Sequence, residues 1–133
     1  MKKIIALLFT LCLLVSCAWA QSKHEKKKNL VVKEWRQKAD GKDKFLDQQI
    51  TYDPQGRKIE DVEYASYGQK RRTVYEYDGD SRLVKREVEY DDKNHVVRIR
   101  KFEYNADGSR KMQYNYKPNG TLISVREYEY TYK

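Results

Sequence analysis

From Ile50 onward the chain alternates. "RLVKREVEY" (82–90) and "VVRIRKFEY" (96–104) set an apolar or aromatic residue at every second position with charged residues between, the period of a half-buried strand. Such runs close on one tripeptide: "ITY" at 50–52, "VEY" at 62–64, "YEY" at 75–77, "VEY" at 88–90, "FEY" at 102–104, "YNY" at 114–116 and "YEY" at 128–130. Its final Tyr recurs at steps of 12, 13, 13, 14, 12 and 14 residues. After almost every one come turn residues: "DPQG", "DGDS", "DDKN", "NADG" and "KPNG". Their Asp, Asn, Pro and Gly supply the local hydrogen bonds and φ angles of a tight turn. One repeat therefore reads as one strand plus one turn, and the chain as an all-β antiparallel meander of about eight strands. No 3.6-residue apolar stripe follows the leader, so no helix is expected there.

The uneven steps carry a register, because a slip of one residue sends a side chain to the opposite face. Three-residue loops closed by a glycine bulge at "DPQG", "NADG" and "KPNG", with four-residue loops at "ASYG" and "DGDS", offset the unequal steps. Every repeat Tyr is then expected on one face. This register sets Glu63 opposite Lys70, Arg100 beside Tyr114, Arg98 beside Tyr116, Arg110 beside Tyr128, Phe102 against Met112 and Trp35 against Phe45. It also opposes Arg86 to Arg100, Lys85 to Lys101 and Asp47 to Glu63, like-charge pairs that a sheet disfavours.

Composition limits how such a sheet can pack. Only 19 of residues 29–133 are Leu, Ile, Val or Phe, against 12 tyrosines. That is too little aliphatic material for two thickly packed sheets, so one curved single layer is expected, with an up-and-down β-barrel as the alternative. Charges in mid-strand on both faces argue against an outer-membrane barrel, whose lipid face needs an unbroken apolar band.

The first residues read as an address. Lys2 and Lys3 precede an apolar run from Ile4 to Val15, and Ala18-Trp19-Ala20 offers a cleavage site, the arrangement of a secretory signal peptide over 1–20. The protein is thus expected to be exported, to the periplasm or beyond. An alternative uses "LVSC" as a lipoprotein box, with Cys17 acylated and holding the protein to a membrane. Both cysteines, Cys12 and Cys17, lie in this leader, so cleavage after Ala20 leaves no thiol for a disulfide or a zinc site. "KHEKKK" follows, within a basic spacer over 21–28. Six of the 28 basic residues and one of the 20 acidic ones lie before Asn29. The β domain at 29–133 keeps 22 against 19, a net charge of +3 rather than the chain's +8. So small an excess, interleaved with acids, argues against nucleic acid as a partner.

"YEYDGDSRLVKREVEYDD" and "FEYNADGSRKMQYNYKPNGTLISVREYEY" resemble the YD-repeats of Rhs-type secreted bacterial proteins, over about residues 50–130. The "YD" itself stands at 52–53, 77–78 and 90–91, and becomes "YN" at 104–105 and "YK" at 116–117. The resemblance implies long β-sheets and export, as in small Tyr-rich proteins of Gram-negative gut bacteria, and implies no catalytic residue. The chain is too short to form a shell around a cargo.

For catalysis the inventory is poor. His24 lies in the basic spacer and His95 in a turn. No nucleophile–base order, metal-ligand spacing or phosphate-cradling glycine loop is present, so neither enzyme activity nor a cofactor is expected. The candidate binding surface is the shared aromatic face: Tyr75, Tyr77, Tyr90, Arg98, Arg100, Tyr104, Tyr114, Tyr116, Tyr128 and Tyr130. Such a surface stacks on sugar rings or holds a peptide, and Tyr with Arg dominates protein–protein hot spots. A cell-surface or dietary glycan or protein is the expected partner. The alternative is a structural protein that self-associates through sheet edges, since the last strand, "TLISVREYEYTYK", lies at an edge with Ile123 and Val125 in it.

Overall fold

The computed structural model describes residues 25–133. The expected signal peptide over 1–20, with Cys17, and residues 21–24 of the expected basic spacer lie outside the described residues. Eight antiparallel strands run in chain order: β1 (Val31–Arg36), β2 (Phe45–Tyr52), β3 (Lys58–Ala65), β4 (Gly68–Tyr77), β5 (Val84–Tyr90), β6 (Val96–Tyr104), β7 (Arg110–Tyr116) and β8 (Leu122–Glu127). They form one sheet in the order β1 to β8, each strand beside its neighbours in sequence. The sheet does not close into a barrel, and the described residues contain essentially no helix.

The turns follow their residues. At 53–57, 91–95, 105–109 and 117–121 the first amide donates to the carbonyl four residues on, and the fourth residue's amide donates back to the first carbonyl. This three-residue loop needs a left-handed fourth residue, and Gly56, Gly108 and Gly120 supply it at φ +73°, +85° and +87°. In "DDKNH" Asn94 takes that place at φ +62°, as Asn tolerates the left-handed region better than other side chains. The "ASYG" turn is shorter than expected: Ala65 pairs directly with Gly68, so only Ser66 and Tyr67 connect β3 to β4.

All seven hairpins share a further irregularity. The last aromatic before each turn faces two residues of the returning strand, because one extra residue is inserted there. Trp35 meets Leu46 with Asp47 bulged, Tyr52 meets Lys58 with Ile59, and Tyr77 meets Val84 with Lys85. Tyr64, Tyr90, Tyr104 and Tyr116 repeat the pattern with Lys70, Val97, Lys111 and Ile123 bulged. A bulge consumes one residue without a partner, so the alternation beyond it is displaced by one position.

That displacement overturns the one-face expectation. Tyr52, Tyr75, Tyr77, Tyr104 and Tyr128 share the face of Phe102, with Tyr130 following Tyr128 by alternation. Tyr64, Tyr90, Tyr114 and Tyr116 share the face of Val88. Successive repeat tyrosines point to opposite sides. The expected neighbours each shift by one: Glu63 faces Arg71 rather than Lys70, and Tyr114 faces Lys101 rather than Arg100. Tyr116 faces Ile99 rather than Arg98, Phe102 faces Gln113 rather than Met112, and Trp35 faces Leu46 rather than Phe45. Only the Arg110–Tyr128 contact keeps its expected partner, at 5.8 Å from guanidinium to ring centroid.

A single layer leaves little interior. Among the described residues Val62, Val88 and Phe102 are the buried apolar side chains, at 5%, 4% and 7% exposure, and they lie in the middle strands β3, β5 and β6. Every residue of β1 and β8 is exposed. Stability must therefore come from the backbone ladder and from side chains leaning on cross-strand neighbours over both faces, pair by pair.

Candidate functional site

On the Phe102 face three phenols do the same task. Tyr77 donates to the Lys58 carbonyl, Tyr104 to the Val84 carbonyl and Tyr130 to the Arg110 carbonyl, each at 2.7 Å. Each acceptor is the residue paired with the previous aromatic at that end of the sheet: Lys58 with Tyr52, Val84 with Tyr77, Arg110 with Tyr104. Every second hairpin is thus tied to the next by a phenol that satisfies a carbonyl beside a bulge. Partial burial raises the Tyr77 and Tyr104 hydroxyls above their ordinary pKa, against the pull of Arg57 and Arg110 respectively.

The cations on this face are equally engaged. Arg100 reaches Glu87 at 3.0 Å and Glu89 at 3.4 Å, and Arg71 reaches Glu63 at 2.5 Å and Glu89 at 3.9 Å. Arg57 packs over the Tyr77 ring, 4.6 Å from its centroid, and donates to the carbonyls of Gly79 (2.6 Å) and Ser81 (3.0 Å). Its Nε also reaches Asp53 Oδ2 at 2.8 Å. Burial opposes the charge on Asp53, but the Arg57 amide and guanidinium and the Gln55 amide outweigh it and hold the carboxyl below its usual pKa. Tyr128 donates to Gln113, and Lys58 lies over Tyr75 at 4.5 Å. Of the two candidate arginines here, only Arg98 is exposed and without an ion-pair partner among the described residues; it lies opposite Glu89 in register.

The other three candidates lie on the Val88 face. Tyr90 packs under Arg72 at 4.0 Å, Tyr114 donates to Glu103 at 3.0 Å, and Tyr116 lies under Lys101 at 5.3 Å. The Glu103 carboxylate beside the Tyr114 hydroxyl raises its pKa. The fold therefore divides the expected platform. Seven of its ten members stand on one side, mostly committed to the sheet itself, and three on the other.

An open cleft of about 560 Å³ lies over β4 to β7. Ile99 and Tyr116 are opposite each other in register and supply its apolar part. Glu76 and Arg86 are ion-paired at 2.6 Å, as are Asp78 and Lys85 at 2.7 Å. Lys101 remains, directly opposite Arg86, with no carboxylate partner among the described residues. Two cations side by side with one carboxylate between them leave a local positive excess over an aromatic ring. Sequence reasoning placed Lys101 opposite Lys85 and did not select it; its like-charge position was the available signal. A second cleft, about 520 Å³, lies at the opposite end of the sheet between Arg36, Asp47, Glu63, Tyr64 and Lys70, and its Arg36 is neutralised by Asp47 at 2.8 Å.

Among the described residues, no three His, Cys, Asp or Glu side chains converge to hold a metal ion, and no helix is long and apolar enough to cross a membrane. His95 sits beside Asp91, 3.4 Å from Nδ1 to Oδ2, in an exposed turn. Comparison of the chain with protein-family models, curated proteins and solved structures returns no match.

Proposed function

We propose that this is an exported, non-catalytic binding module that takes an anionic group of a glycan or peptide at the Val88 face. The reading moves recognition from a continuous tyrosine platform to one cleft. The observation that carries it is Lys101, set over the Tyr116 ring and beside Arg86 without a carboxylate of its own among the described residues. An uncompensated ammonium beside a half-buried aromatic ring suits a sugar ring bearing a carboxylate or sulfate, with the ring stacked on Tyr116 and the acid on Lys101. The other aromatic–cation pairs resemble it, but their tyrosines or cations are mostly bound within the sheet. Screening acidic and neutral oligosaccharides and peptides by calorimetry tests this. Binding should favour acidic ligands, weaken with salt, and be lost in Lys101→Ala while Tyr104→Phe, on the opposite face, binds normally. Equal binding by Lys101→Ala, or a preference for neutral ligands, would overturn it.

A further inference from the structure

The two ends of the strand order, β1 and β8, each leave an outer edge without a neighbouring strand among the described residues. Val31, Val32 and Trp35 on β1, and Leu122, Ile123 and Val125 on β8, are exposed by 40–56%. Unpaired edges of this kind accept a further strand.

Backbone parity narrows what can be accepted. The Tyr128 amide donates to the Lys111 carbonyl, so Tyr128, Arg126 and Ser124 turn their main-chain groups toward β7, and Val125 and Glu127 turn theirs outward. On β1 the Leu30 carbonyl accepts from the Tyr52 amide. Val32 and Glu34 therefore face β2, and Val31, Lys33 and Trp35 face outward. Outward residues must pair with outward residues.

We propose that copies of this chain join head to tail, β8 of one against β1 of the next, with Val125 opposite Trp35 and Glu127 opposite Lys33. In that antiparallel register Arg126 falls opposite Glu34 and Tyr128 opposite Val32. Two unlike charge pairs and two apolar pairs meet, and the Val88 face of one copy continues into the Val88 face of the next. Moving the register by two residues destroys this: one way sets Arg126 against Arg36, the other sets Arg126 against Val32 and Val125 against Lys33. Two β1 edges centred on Trp35 do set Glu34 against Arg36, but Arg36 is already held by Asp47 at 2.8 Å, and the other symmetric pairings are poorer. Two β8 edges centred on Arg126 or Glu127, or two β1 edges centred on Lys33 or Glu34, set like charges face to face, and β8 edges centred on Val125 match no charges. Because β1 and β8 run in opposite directions, each added copy repeats the orientation of the last. The contact is heterologous and does not close, so it extends the sheet as a ribbon. It involves the edges alone and is independent of the cleft.

Proline on an outward-facing edge position removes a donor that the monomer does not use. Val125→Pro blocks β8 and Lys33→Pro blocks β1, and circular dichroism shows whether each keeps its sheet. By light scattering, the wild-type mass should rise with concentration past that of a dimer. Each proline variant should be monomeric, and an equimolar mixture of the two should form dimers and stop there. Self-association of Lys33→Pro would reveal β8–β8 pairing, self-association of Val125→Pro would reveal β1–β1 pairing, and either overturns the proposal. So does a wild-type protein that stays monomeric at millimolar concentration, or a mixture that fails to dimerise. A charge swap carries the test if proline disrupts folding. Lys33→Glu or Glu127→Lys alone should weaken association roughly three- to tenfold, from the modest worth of one cross-strand ion pair and its reversal. The double variant should restore it; failure of the rescue also overturns the register.

Discussion

The phenol ties on the Phe102 face can be weighed by removing one oxygen. Tyr104→Phe keeps the ring, which lies 6.5 Å from the Phe102 centroid, and deletes only the hydroxyl that donates to the Val84 carbonyl at 2.7 Å. An intramolecular hydrogen bond contributes a net 0.5–1.5 kcal/mol or so, and an acceptor left without a partner adds cost to the extent that water cannot reach it. Tyr104 is half-buried, so partial rehydration keeps the expected loss near about 1 kcal/mol. For a domain of this size that corresponds to a melting temperature lower by roughly 4–8 °C. Tyr90→Phe is the matched control. Tyr90 has a comparable ring under Arg72 but its hydroxyl makes no hydrogen bond among the described residues, so its loss should stay within about 0.5 kcal/mol. The ties at Tyr77, Tyr104 and Tyr130 recur every second strand, about 9–10 Å apart, far enough for their effects to add. The triple Phe variant should therefore lose about 3 kcal/mol. Urea unfolding followed by circular dichroism measures all of these. If Tyr104→Phe and Tyr90→Phe prove equally stable, the phenols do not fasten the hairpins and the structural role assigned to them is wrong.

Two further outcomes follow from the turns. Gly108→Ala should cost about 1–2 kcal/mol from backbone strain alone, since φ is +85° and the added Cβ would meet nothing nearer than Leu83 Cδ2 at 4.0 Å; thermal unfolding measures it, and an unchanged melting temperature counts against the bulged-turn assignment. Asp53, whose carboxyl is held below its usual pKa, stabilises the fold above the unfolded carboxylate value of about 3.9, and that stability is lost as pH falls through its lower folded value. Asp53→Asn should accordingly lose roughly 1.5–3 kcal/mol at neutral pH, the range for hydrogen bonds to charged groups, and show a shallower decline in stability below pH 4. Equal acid profiles for variant and wild type would remove Asp53 from the account.

The eight strands and their order were legible because both signals are local. Alternation marks a strand and Asp-Gly or Asn-Gly chemistry marks its end, and neither needs knowledge of the partner. The bulge was not legible in that way. It arises where neighbouring strands twist against each other near a turn, and residues as unlike as Asp47, Lys85 and Val97 occupy the extra position. An indirect signal did exist in the like-charge oppositions of the unbulged register. Shifting by one residue frees Asp47 from Glu63 to meet Arg36 at 2.8 Å and moves Arg100 from Arg86 to Glu87 at 3.0 Å. The conflicts were evidence about register. Lys101 was missed for the same reason, since its surroundings depend on the shifted partner, Arg86, and on Tyr116.

Because each hairpin inserts one residue, the structural unit is two strands rather than one. Tyr77, Tyr104 and Tyr130 repeat at 27 and 26 residues on one face, and Tyr64, Tyr90 and Tyr116 repeat at 26 and 26 on the other. With only three buried apolar side chains among the described residues, little in the fold depends on elements more than two strands apart. Its energetics then approach a nearest-neighbour sum, as in repeat proteins. Losing a pair of strands would leave every downstream side chain on its present face and every phenol tie with an equivalent carbonyl. Losing a single strand would turn all downstream aromatics over and separate the ties from their acceptors. Nothing in such an arrangement limits strand number from within. The limits are set at β1 and β8, which makes the chemistry of those edges, more than any core, the feature that decides where the sheet stops.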